Sequence, residues 1–115
     1  MALNELEKRR VEKAVGAFIE KHRPPPHIRP ELDLGFRVSG QSVEIFEIRP
    51  RGDPPQDMRE IPVAKATYVK SGKAWKIFWK RADLKWHAYQ PVPEVATLDG
   101  FLTVVAEDRH ACFFG

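Results

Sequence analysis

The chain has 115 residues, 43% of them apolar and 30% charged, a balance that suits one folded domain and excludes global disorder. Its net charge of +3 is compatible with an anionic partner but is far below that of a dedicated nucleic-acid-binding arm. Its single cysteine, Cys112, excludes an internal disulfide, and no run of about 20 apolar residues is present to cross a bilayer. The N-terminus MALNELEKRR is charged and lacks the apolar centre of a signal peptide, so a cytoplasmic location is the expectation.

The first predicted element is a helix. Asn4 and Glu7 have capping-box spacing, and Val11, Ala14, Val15, Phe18 and Ile19 then form one apolar stripe. The helix must end by Arg23, because Pro24, Pro25 and Pro26 cannot continue it. RPPPHIRPE then reads as a stiff polyproline-like connector between packed elements.

From Leu32 the apolar period changes to two. A turn at Gly40-Gln41 sets Val38 opposite Val43, Phe36 opposite Ile45 and Arg37 opposite Glu44, so charges pair on one face and apolar residues on the other. This strand runs to about Arg49 and is followed by a polar loop, RPRGDPPQDMRE. A second hairpin, Ile61–Lys70 with Lys73–Lys80, turns at Ser71-Gly72 and sets Tyr68 opposite Trp75, Ala66 opposite Ile77 and Ala64 opposite Trp79. A turn at KRAD leads into Leu84–Gln90, with Leu84 placed beside Trp79 and Trp86 beside Ile77. Pro91 and Pro93 end that strand. Thr97 caps a final helix to about Asp108, with Phe101, Leu102, Val105 and Ala106 facing inward. The tail RHACFFG is too apolar for a free end, so Phe113 and Phe114 are expected to be buried and Cys112 shielded.

The predicted fold class is α+β: a five-stranded antiparallel β-meander, with an N-terminal and a C-terminal helix packed on one face. In this register Trp75, Trp79 and Trp86 share the face that the helices cover. The other face collects Lys65, Thr67, Lys76, Phe78, Lys80, Lys85, His87 and Tyr89. Lysines there can meet phosphates, and the rings offer stacking surfaces for bases. The candidate nucleic-acid or anion-binding residues are therefore Lys65, Lys76, Phe78, Lys80, Lys85, His87 and Tyr89. Against this stands the ordinary solvated face of an antiparallel sheet, which lysines keep soluble.

Other chemistry finds little footing. His22, His27, His87 and His110 show no paired ligand spacing, and His110-Ala111-Cys112 supplies at most two of the four ligands a structural zinc needs, so no metal is expected. Cys112 lies among Ala111, Phe113 and Phe114 with no activating neighbour. The scattered glycines form no phosphate loop, so no cofactor is expected. Pro30-Glu31-Leu32-Asp33 followed by Glu47-Ile48-Arg49 is similar to a degenerate PD-(D/E)xK nuclease pattern. There two acids and a lysine would gather a magnesium ion and a water. Arg49 replaces the lysine and cannot deprotonate, and the register sends Asp33 and Glu47 to opposite faces.

Taken together, VGAFIEKHRPPPHIRPELDLGFRVSGQSVEIFEIRPR, VAKATYVKSGKAWKIFWKRADLKWHAYQP and the terminal ACFFG resemble short bacterial proteins of domain-of-unknown-function family 3024. The resemblance implies a bacterial cytoplasmic protein and implies no activity. The functional expectation is a non-catalytic domain that binds an anionic partner, nucleic acid or an acidic protein, with no catalytic residues. One alternative is a metal-dependent phosphodiesterase acting through Asp33, Glu44 or Glu47. The other is a protein-interaction module using a sheet edge or the proline connector. The sequence leaves monomer and homodimer open.

Overall fold

Asn4 Oδ1 accepts from the Glu7 backbone N–H at 2.8 Å, and Glu7 Oε1 accepts from the Asn4 N–H at 3.0 Å. This reciprocal cap starts helix α1 (Glu5–His22) where the sequence places it. The structure is a computed structural model that describes residues 3–50 and 58–114. Val11, Val15, Phe18 and Ile19 form the buried stripe of α1, and Ala14 is partly buried beside them. Arg23 ends the helix in extended conformation, as the following prolines require.

The segment after α1 is not the extended rod expected from its prolines. The Ile28 N–H bonds the Pro25 carbonyl, and the Glu31 and Leu32 N–H groups both bond the Ile28 carbonyl. Proline's fixed φ suits the second position of a turn, and Pro26 holds that position between Pro25 and Ile28. Arg23 closes the segment from both ends. Its Nε and Nη2 donate to the two carboxylate oxygens of Asp33, at 3.0 and 2.7 Å.

The first hairpin joins β1 (Asp33–Ser39) to β2 (Ser42–Pro50) in the expected register, with Gly40 at φ +60°. Residues 51–57, most of the expected polar loop, lie outside the described residues. The next strand, β3 (Met58–Val69), begins earlier than the expected Ile61 and pairs with β2 from Met58 to Thr67. Its register shifts at Val63: Ile45 faces Ala64, but Phe46 faces Pro62. Pro62 has no N–H for the ladder, which makes it a natural neighbour for a bulge. Beyond the shift Phe46 sits on the sheet face away from the helices, yet it is only 6% exposed. It packs on Gly35, where an added Cβ would lie 2.7 Å from its ring. The Arg37 guanidinium, 5.1 Å from the ring centroid and 2.6 Å from Glu60, covers its open side.

Strand β4 (Ala74–Lys80) pairs with β3 as predicted, so Tyr68, Ala66 and Ala64 face Trp75, Ile77 and Trp79. The last part of the sheet departs from expectation. Strand β5 is only Trp86–Ala88 and sets Trp86 opposite Lys80, not Ile77. A second short piece, β6 (Glu94–Val95), returns to the same edge of β4 opposite Lys76 and Trp75. The strand order is β1-β2-β3-β4-β5, all antiparallel, with β6 also on β4.

Helix α2 (Leu98–Glu107) starts at Thr97, whose Oγ1 accepts from the Gly100 N–H at 3.0 Å. Phe101, Leu102 and Val105 are buried as expected, but Ala106 is exposed and Val104 packs on the core in its place. Asp108 caps the end in left-handed conformation, and its carboxylate accepts from the Phe113 and Phe114 N–H groups at 3.1 and 2.9 Å. This tether brings Phe113 onto Tyr89, with centroids 4.8 Å apart, and leaves Phe113 5% exposed. Phe114, expected to be buried, is 39% exposed: it is Phe113 that takes the place against Tyr89. Both helices share a single core with Val43, Ile45, Ala64, Ala66, Trp75 and Ile77 from one sheet face. Among the described residues no helix is long and apolar enough to cross a membrane.

Candidate anion-binding face

The face of β3, β4 and β5 away from the helices is set by strand alternation from the pairs Lys65–Phe78, Phe78–Ala88 and Lys80–Trp86. Lys65 Nζ lies 5.5 Å from the Phe78 ring centroid and 5.5 Å from that of Trp86. Lys80 Nζ lies 5.3 Å from the Trp86 ring on the same face. An ammonium at this range is attracted by the negative face of a ring, by about 0.5–1 kcal/mol at exposed sites. Phe78 and Trp86 are partly exposed and stand outside the core cluster. Lys76 follows on β4 and is exposed. The face also carries acids: Glu44 lies opposite Lys65, and Glu94 lies opposite Lys76.

Of the seven candidates named from sequence, the structure brings together Lys65, Lys76, Phe78 and Lys80. It separates Lys85, His87 and Tyr89 from them. The pairing of β5 is displaced from the expected one by three positions, from Ile77 to Lys80 as the partner of Trp86. An odd displacement exchanges the two faces of a strand. His87 therefore lies opposite Trp79, with Nε2 2.8 Å from the Asp83 carboxylate. Tyr89 is 2% exposed in the core, where burial pushes its phenol pKa up. Lys85 belongs to the turn and gives its carbonyl to the Arg81 N–H at 3.2 Å.

The same exchange moves Trp86 from the expected core to the lysine face. Leu84, expected beside Trp79, is 77% exposed in the turn. The missed signal was Asp83, whose Oδ1 accepts from the Lys85 N–H at 2.9 Å. An aspartate bonding two residues ahead prolongs a turn, so the strand starts only at Trp86. Bonds from the Lys85 N–H first and His87 second hold the Asp83 carboxyl below the usual carboxylate range.

The carboxylates of the nuclease-like pattern do not converge. Asp33 pairs with Ile48 and Glu47 with Leu34, at successive positions that point to opposite faces. Asp33 is held by Arg23, which lowers its pKa, and Glu47 accepts from Arg49 Nε at 3.1 Å. Among the described residues no group of three or more His, Cys, Asp or Glu is placed to hold a metal ion. Burial raises the Cys112 thiol pKa, with the Asp108 carboxylate adding to it, so the thiol is not activated.

A family model described as a domain of unknown function (DUF3024) matches residues 3–115. No curated protein and no solved structure matches the chain.

Proposed function

We propose that this chain, which belongs to the DUF3024 family, is a non-catalytic domain that binds single-stranded nucleic acid through the outer face of β3, β4 and β5. The observation that carries the reading is the placing of Lys65 between Phe78 and Trp86, at 5.5 Å from each ring. Rings with ammonium groups at their margins match a chain of alternating bases and phosphates, whereas an acidic peptide has no use for the rings. Bases can lie on such a face only when unpaired, which selects single strands over duplex. The lysines act by displacing condensed cations and the rings by stacking, so the two contributions separate in a salt titration.

The test is the binding of a labelled oligothymidine followed by anisotropy at several salt concentrations. Two phosphates held by Lys65 and Lys80 give a log–log slope of about −1.4, from about −0.7 each. Replacing both with glutamine is expected to flatten that slope to near zero. Trp86→Ala is expected to weaken binding by roughly 1–3 kcal/mol and to leave the slope unchanged, because stacking displaces no condensed ions. Trp86 is off the core, so the variant's melting temperature is expected to stay close to that of the parent. Polyglutamate binding as well as the oligonucleotide, with Trp86→Ala without effect, would assign the face to acidic proteins. Wild-type affinity unchanged by either variant would leave it a solvated surface.

A further inference from the structure

The edge strand beside β4 is broken at one place. The Tyr89 N–H donates to the Ile77 carbonyl and the Ile77 N–H donates to the Pro93 carbonyl, both at 2.9 Å. Tyr89 to Pro93 thus stand opposite Ile77 alone, with a turn closed by the Val92 N–H on the Tyr89 carbonyl at 3.1 Å. Because Tyr89 turns into the core, 2% exposed, the ladder on this edge of β4 is interrupted between Ala88, opposite Phe78, and Glu94, opposite Lys76. The result is a cavity of about 280 Å³ lined by Lys76, Ile77, Phe78, Ala88, Pro93 and Glu94. Its wall is the Phe78 ring of the proposed binding face. Glu94 is exposed and lies opposite Lys76 on β4, and among the described residues no ion pair within 4.0 Å engages its carboxylate.

We infer that this gap takes a guanine base, with its ring against Phe78 and its Watson–Crick edge on the Glu94 carboxylate. The inference rests on the reading of the face as a single-strand surface and names the base it prefers. A carboxylate at the cavity rim repels phosphate, so the base end enters there and the backbone lies toward Lys65 and Lys80. An ionised carboxylate only accepts, through two parallel oxygens. Guanine alone presents two adjacent donors, N1–H and the N2 amino group, to match them. Adenine and cytosine set a ring-nitrogen acceptor beside a single amino donor, and thymine flanks its one N–H with two carbonyls. Each of these turns a lone pair toward the carboxylate.

The experiment compares oligothymidine with the same oligomer carrying one central guanine, and with one carrying inosine, which lacks the N2 amino group. The guanine oligomer is expected to bind about fivefold or more tightly than oligothymidine, in the lower part of the range for a bidentate base contact. Inosine is expected to lose most of that gain. Glu94→Gln is expected to abolish the guanine preference while leaving oligothymidine binding intact or slightly stronger, since one like charge is removed. Ala88→Leu, which fills the cavity from an exposed position, provides a second variant should Glu94→Gln disturb β6. It is expected to remove the preference as well. Oligothymidine binding that depends on Lys65 and Lys80 but shows no guanine preference overturns this inference and leaves the single-strand reading standing. A preference that survives both variants overturns it too. Absence of binding to every oligomer overturns both.

Discussion

Replacing Leu84 with glycine is expected to change stability by less than about 1 kcal/mol, although it removes a whole leucine side chain. Leu84 has φ +63° and is 77% exposed, at the turn that sets the pairing of β5. A left-handed conformation costs an L-residue roughly 1–2 kcal/mol, which glycine does not incur. Glycine loses about 0.5–1 kcal/mol more backbone entropy on folding, and the buried quarter of the leucine contributes about 0.5 kcal/mol. These effects nearly cancel. Leu84→Ala retains the strain and loses the burial, so the glycine variant is expected to be the more stable of the two by about 0.5–1 kcal/mol. Equilibrium urea denaturation of the three proteins measures both differences, provided that the m-values agree. Were Leu84 packed beside Trp79, as a continuous strand from Leu84 would have it, either substitution would cost roughly 2–5 kcal/mol and alanine would be the better tolerated. A loss of that size, or the order alanine above glycine, would refute the turn and with it the placing of Trp86 on the lysine face.

Three further outcomes are expected. Arg23 holds the Asp33 carboxyl below the usual carboxylate range, so its contribution is complete above the unfolded value of about 3.9 and is lost as pH falls through the lower folded value. Asp33→Asn should therefore cost about 1.5–3 kcal/mol at neutral pH and progressively less in acid, and urea midpoints that differ equally at every pH would contradict this. Phe113→Ala is expected to cost roughly 3–5 kcal/mol and Phe114→Ala less than about 1 kcal/mol, because only the first ring is buried against Tyr89; similar losses from the two in thermal or urea unfolding would be inconsistent with the tail as described. Cys112, half-buried and with its pKa raised, should react with a thiol reagent more slowly in the native protein than in urea, and equal rates would show it unshielded.

What the sequence determined by itself is whatever its local chemistry specifies. The Asn4–Glu7 cap, the end of α1 before Pro24, the turn at Gly40 and the Thr97 cap each depend on a few neighbouring residues. The registers of the β1–β2 and β3–β4 hairpins follow because a short turn and a period of two allow one pairing that buries the apolar set. Lys65, Lys76, Phe78 and Lys80 lie on strands of this kind, and their shared face was legible. Beyond Lys80 the choice passed to the whole molecule. Tyr89 fills a space made by α2's end and Phe113, which no local pattern of WHAY could announce. Putting Tyr89 there turns Trp86 outward by alternation, requires the turn at Asp83-Leu84 to lengthen, and opens the gap before β6. The Val63 shift likewise answers to Pro62 and to the shelter that Gly35, Arg37 and Glu60 offer Phe46 from two other strands. Strand faces are decided one residue at a time, and an odd displacement reverses them all. Where the turn leaves that displacement open, the core chooses, and the core exists only in three dimensions.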